Sequence, residues 1–113
     1  MPGEPGDAVF TALADPTRRD ILRTVSEGGP TTATALTATF PITRQAIARH
    51  LSLLQAAGLV AADRAGRETR FVARPEPLDD LAAWATGTGR LWEDRLARLR
   101  DAVAASQRGG ERG

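Results

Sequence analysis

The sequence has no cysteine, no lysine and a single histidine. None of its apolar runs approaches the roughly 18 residues that cross a bilayer. Without cysteine there can be no disulfide, no thiolate metal site and no thiol redox switch. The opening "MPGEPGDAV" lacks a basic stretch followed by an apolar one, so no secretory signal is expected. No membrane partner is expected, and the cytoplasm is the default location. One histidine with no nucleophile beside it, no glycine-rich phosphate loop and no paired buried carboxylates leave no assembled catalytic chemistry. Neither an enzyme nor a bound cofactor is expected.

What is present is one domain of 113 residues with short polar ends. Residues 1–6 and 107–113, rich in Gly, Pro and polar side chains, are expected to be disordered tails around a domain at 7–106. A folded part of roughly 100 residues sits near the lower range of comfortable single cores, so dimerisation is an attractive source of further burial. The formal charge of +1 conceals a gradient. Residues 44–74 carry six arginines against two acids, a local charge of +4, while residues 1–43 and 75–107 each come to −2. A basic middle between mildly acidic ends suggests one face aimed at a polyanion.

Apolar spacing and stop signals predict about five helices and one hairpin. Asp7 is a candidate cap for a first helix through "AVFTALA", with Val9, Phe10 and Leu13 on its apolar side. Asp15-Pro16 is a cap followed by the first helical position, opening a helix that packs with Ile21, Leu22 and Val25 and ends at Gly28-Gly29. Pro30-Thr31 opens a shorter helix with Ala35, Leu36 and Phe40, stopped by Pro41. Thr43 is the expected cap of a fourth helix, whose Ile47, Leu51 and Leu54 fall on one face at i, i+4 and i+7 and which Gly58 stops. "LVAAD" and "TRFVA", joined by "RAGRE" with Gly66 for a positive φ, predict a two-stranded hairpin. A long helical stripe follows, with Leu78, Leu81, Trp92, Leu96, Leu99 and Val103. "GTG" at 87–89 predicts a kink or a break, since each helical glycine costs about 1 kcal/mol relative to alanine.

The predicted fold class is therefore mostly α, a winged helix-turn-helix. Opposite the apolar face, the fourth helix presents Gln45, Ala48, Arg49 and Ser52, with Arg44 beside them. Arginine can donate two bonds to guanine, and glutamine can pair with adenine, in the major groove. Thr43 and Ser52 are short enough to bind phosphate oxygens, and Arg64, Arg67 and Arg70 around the hairpin can reach the backbone or the adjacent minor groove. Thr31 is a candidate phosphate contact, although capping alone explains it. His50 lies between Ile47 and Leu54 on the wheel, which leaves open a phosphate contact or a partly buried structural histidine. For Arg67, pairing with Glu68 competes with DNA contact. For Arg18 and Arg19, the simplest role is structural, the stem covering apolar surface while the head pairs with an acid.

These stretches resemble the ArsR-type bacterial transcriptional regulators. "VFTALADPTRRDIL" is similar to that family's first two helices, "ITRQAIARHLSLLQAAGLV" to its recognition helix and wing start, and "GRETRFV" to the wing's second strand. "LDDLAAWATGTGRLWEDRLARL" resembles the tryptophan-bearing last helix of a subgroup without metal sites. The likeness covers roughly residues 8 to 105. It implies a homodimer bound to double-stranded DNA, with the first and last helices at the interface through Val9, Phe10, Leu13, Trp84, Leu91, Trp92, Leu96 and Leu99. Many relatives release DNA on binding metal through cysteines near the third helix or His and Asp pairs in the last helices. This chain lacks the cysteines, and its one histidine is in the recognition helix, so a metal response is not expected. A hard-ion site at Asp79, Asp80, Glu93 and Asp94 has no support.

The function expected is a sequence-specific, homodimeric repressor at an inverted-repeat operator. Two alternatives stay open: a protein-interaction module using the last helix, and a regulator that takes an unidentified small-molecule effector near Trp84 and Trp92.

Overall fold

The computed structural model describes residues 6–111. The elements run α1 (Asp7–Leu13), α2 (Pro16–Gly28), α3 (Ala33–Thr37), α4 (Arg44–Ala56), β1 (Val60–Ala65), β2 (Glu68–Ala73) and α5 (Glu76–Glu111). The chain divides into two compact units, one through Leu81 and one from Ala82 onward.

Helix starts follow the capping residues closely. Asp15 accepts the Arg18 N–H at 2.8 Å with Pro16 at the first helical position, and Thr43 accepts the Ala46 N–H at 3.1 Å. Each bond satisfies one of the orphan donors at a helix N-terminus. At the end of α4, Gly58 takes φ 75°, its N–H donates to the Gln55 carbonyl, and the Leu59 N–H donates to the Leu54 carbonyl, both at 2.9 Å. This is a Schellman stop, with Leu54 and Leu59 both fully buried as its apolar contact. It turns the chain directly from α4 into the wing.

The core of the first unit gathers Val9, Ala12, Ile21, Leu22, Val25, Leu36, Ile47, Leu51, Leu54, Ala57, Leu59 and Val60. Ile47, Leu51 and Leu54 are 0% exposed, so the inner face of α4 belongs wholly to it. Burial of each such side chain contributes about 1.5–3 kcal/mol. The outer face is thereby obliged to point at solvent.

Several expectations are corrected. Gly6, not Asp7, occupies the cap position of α1, and no side chain caps that helix. Thr32, not Thr31, caps α3, its hydroxyl accepting the Ala35 N–H at 3.0 Å. Thr31 instead pairs with β2: its N–H donates to the Phe71 carbonyl at 3.1 Å, and the Phe71 N–H donates back at 2.7 Å. The third helix ends at Thr37, before Pro41 acts. The hairpin strands are longer and its turn tighter than expected, with Ala65 opposite Glu68 and only Gly66 and Arg67 between them. Gly66 has φ 64°, and among the described residues no non-glycine has positive φ, the pattern of a type II′ turn.

The last helix is one element from Glu76 to Glu111, without the break expected at 87–89. Two glycines cost about 2 kcal/mol relative to alanine, which favourable propagation by the flanking Ala, Leu, Arg and Glu residues outweighs. Helix also covers 107–111, where a tail was expected; residues 1–5 and 112–113 lie outside the described residues. In the second unit, Leu91, Trp92, Leu96, Leu99 and Val103 are 45–60% exposed on the single chain, and Trp84 is 39% exposed. Val9 departs from its expected place at a dimer interface, being buried in the core of its own chain, and Leu13 is half-buried against that core. Phe10 remains exposed.

Candidate nucleic-acid interface

The outer surface of α4 begins at its capped N-terminus. Thr43, Arg44, Gln45, Ala48, Arg49 and Ser52 are not buried, while Ile47, Leu51 and Leu54 face inward. Among the described residues, neither Gln45 nor Arg49 has a side-chain hydrogen bond or ion pair. Their donors and acceptors therefore meet only water on the single chain. A polar, cationic face on the first turns of a helix is the arrangement that base-edge recognition requires.

Arg44 is placed differently. Its Nε donates to the Thr34 hydroxyl at 3.2 Å, tying the guanidinium to α3. It lines a cleft of about 660 Å³ together with Thr32, Thr34, Arg64, Arg67 and Phe71. Three arginines and three threonines, Thr69 among them, line one groove, with Glu68 the one acid among the described residues of its wall. That chemistry suits a phosphodiester backbone. Thr32 and Thr34 escaped sequence reasoning because "PTTAT" offers several equivalent capping residues; only the pairing of Thr31 with Phe71 selects among them.

On the wing, Arg64 Nε donates to the Gly66 carbonyl at 3.3 Å, which holds its side chain along the turn. Glu68 pairs with Arg70 at 3.8 Å rather than with Arg67. Both members of that pair are more than half exposed, so it adds little to stability. Arg67 stands exposed in the turn with no ion pair among the described residues. Thr31, half-buried with its backbone bonded to β2, lies at the base of the wing.

His50 is half-buried, and its Nδ1 lies 3.0 Å from Arg18 Nη1. Arginine can only donate, so Nδ1 accepts and the ring proton belongs on Nε2. The structure thus gives His50 a partner from α2. The same guanidinium donates through Nε to the Ala12 carbonyl at 2.9 Å and through Nη2 to the Thr11 carbonyl at 3.4 Å. Arg19 Nη1 donates to the Leu13 carbonyl at 2.6 Å. The two arginines close off the last carbonyls of α1, where cations are also favoured by the helix dipole. Among the described residues, neither head forms the acid pair expected of it. The backbone N–H of Arg18 is the main cause that holds the Asp15 carboxyl below the ordinary carboxylate range; desolvation opposes it, and the positive charge of Arg18 adds a smaller lowering effect.

Comparison with known proteins agrees with this geometry. A family model described as a helix-turn-helix domain matches residues 13–61. The HTH-type transcriptional regulator YuzN of Bacillus subtilis (strain 168) is 46% identical over 81 residues, covering 66% of this chain and 88% of YuzN. The transcriptional repressor SdpR of the same organism is 34% identical over 76 residues, covering 67% of this chain and 83% of SdpR. The solved structure of an ArsR-like transcriptional regulator from Rhodococcus sp. RHA1 superposes with a TM-score of 0.75 at 39% identity, covering 83% of this chain and 88% of that one. The chain belongs to the ArsR family of winged helix-turn-helix transcriptional regulators, whose members bind double-stranded DNA.

Proposed function

We propose that two copies of this chain form a repressor that occupies an inverted-repeat operator. The observation that carries the reading is the outward face of α4, where Gln45 and Arg49 stand exposed and without a partner among the described residues. In the complex, Arg49 donates to a guanine edge and Gln45 pairs with an adenine. Thr43 and Ser52 bind phosphate oxygens at the rim of the groove. Arg44, Arg64 and Arg67 hold the phosphate strand that passes through the cleft between α4 and the wing. The likeness to SdpR, a named repressor, supports repression over activation.

The exposed apolar stripe of α5 supports association through that helix. Leu91, Trp92, Leu96, Leu99 and Val103 expose about half of their surface on the single chain, more apolar surface than a monomeric helix usually leaves in water. Trp84 and, on α1, Phe10 are further exposed aromatic side chains. Twofold pairing places the recognition helices one helical turn apart, about 34–36 Å. Repression on this reading is independent of metal: the chain offers no cysteine, and its one histidine is engaged by Arg18.

The test is selection of bound fragments from a genomic DNA pool, followed by gel-shift titration of the enriched sequence. Enrichment of a palindromic site, bound by a dimer, is expected. A pool that stays random, or a chain that remains monomeric and retains no DNA, would instead favour a protein-interaction module.

A further inference from the structure

The bond between Arg18 and His50 joins two parts of the molecule that have different tasks. One planar guanidinium grips the Ala12 and Thr11 carbonyls at the end of α1 and the ring of His50 midway along α4. Arg18 is itself fixed at its backbone, where the Asp15 carboxylate accepts its N–H at 2.8 Å. The two ends of the bridge leave little freedom between them. His50 sits directly after Arg49 in the chain, so any roll of α4 about its axis moves both residues together.

The apolar anchors of α4 do not remove that freedom by themselves. Ile47, Leu51 and Leu54 bind the helix to the core through non-directional contacts, which tolerate a small rotation. A hydrogen bond between a fixed fork and a ring nitrogen is directional and does not. Bidentate contacts to a base edge require placement within about 0.5 Å and 10–20°. A folded chain can therefore keep its core and its cationic surface yet present Arg49 at the wrong angle.

We propose that Arg18 is a positioning residue for operator recognition, setting the roll of α4 by donating to Nδ1 of His50. The inference rests on the reading of α4 as the DNA-binding helix. It assigns His50 a role through its inner nitrogen, toward Arg18, rather than through Nε2 toward phosphate.

The two nitrogens can be separated by substitution. Asparagine places its Oδ1 two bonds from Cβ, as Nδ1 is, and so keeps an acceptor for Arg18. Glutamine places its amide three bonds from Cβ, as Nε2 is, and can reach outward in its place. Affinities of wild type, His50→Ala, His50→Asn and His50→Gln are measured for the selected operator and for random-sequence duplex at one salt concentration, with helix content and melting followed for each.

His50→Ala is expected to lose operator affinity on the order of tenfold, within the usual range of couplings between sites, while affinity for random duplex is unchanged. His50→Asn is expected to recover most of the loss and His50→Gln little of it. Should His50→Ala fail to fold, the Asn and Gln variants carry the comparison alone. Rescue by Gln and not Asn, rescue by both, rescue by neither in folded protein, or an equal loss on both DNAs would each overturn the proposal. A wild-type chain without operator affinity, or Arg49→Ala without effect on it, would remove the underlying reading instead. Those two failures are therefore distinguishable from a failure of the Arg18 bond.

Discussion

Replacing Arg49 with alanine separates DNA recognition from folding. The side chain is exposed and has no hydrogen bond or ion pair among the described residues, so its removal should change stability by no more than about 0.5 kcal/mol. The penalty should appear in binding instead. One bidentate base contact is worth about 1–3 kcal/mol of discrimination. A symmetric dimer makes that contact in each half-site, so the variant should bind about 2–6 kcal/mol more weakly if the half-sites act independently. At 1.36 kcal/mol per tenfold, the lower bound alone is roughly a thirtyfold weakening. Gel-shift or anisotropy titrations on the operator and on random duplex, each repeated across salt, make the measurement. The expected result is weaker operator binding, little change on random duplex and an unchanged salt slope, because a base contact releases no counterion. Equal losses on both DNAs would show that Arg49 binds phosphate. Unchanged operator affinity would remove it from the recognition surface, and with it the central contact of the proposed interface.

Other perturbations address the remaining parts of the account. Arg67→Ala at the wing should weaken operator and random DNA alike and lower the slope of log affinity against log salt by about 0.9 for each phosphate that Arg67 neutralises; an unaltered slope would leave the wing turn in solvent. Leu96→Asp, in the exposed stripe of α5, should shift sedimentation from dimer toward monomer and weaken operator binding at low protein concentration, whereas an unaltered dimer would place association elsewhere. Asp15 has its folded-state pKa lowered, so its contribution to stability is present above the unfolded carboxylate value and is lost as pH falls through the folded one. Asp15→Asn, which retains capping ability, should therefore lessen the loss of stability on acidification, read by thermal melts from neutral pH down through the carboxylate range; identical acid limbs would contradict that linkage.

The parts of the fold that were legible in the sequence rest on residues whose local chemistry has one outcome. Asp15-Pro16, Thr43 and Gly58 mark helix ends wherever the chain goes next, and the Ile47, Leu51 and Leu54 spacing selects the inner face of α4. The Gln45 and Arg49 surface was legible for the same reason, as the complement of that face. What escaped depends on partners distant in the chain. Thr31 and Thr32 are equivalent as caps until Phe71 pairs with the first of them. Val9 and Phe10 are both apolar residues of α1, and packing against α2 and α4 decides that only Val9 is buried. His50 acquires its partner from Arg18, 32 residues earlier, and no local pattern encodes that bond. At 87–89 local propensity overstated its case, since a penalty at two glycines does not break a helix of 36 residues.

Hydroxyl-radical footprinting of the selected operator tests the central claim most directly. A twofold dimer with α4 in each of two successive major grooves predicts protection related by dyad symmetry, centred about 34–36 Å apart on one face of the duplex. A single protected patch, or two patches without dyad symmetry, would contradict it.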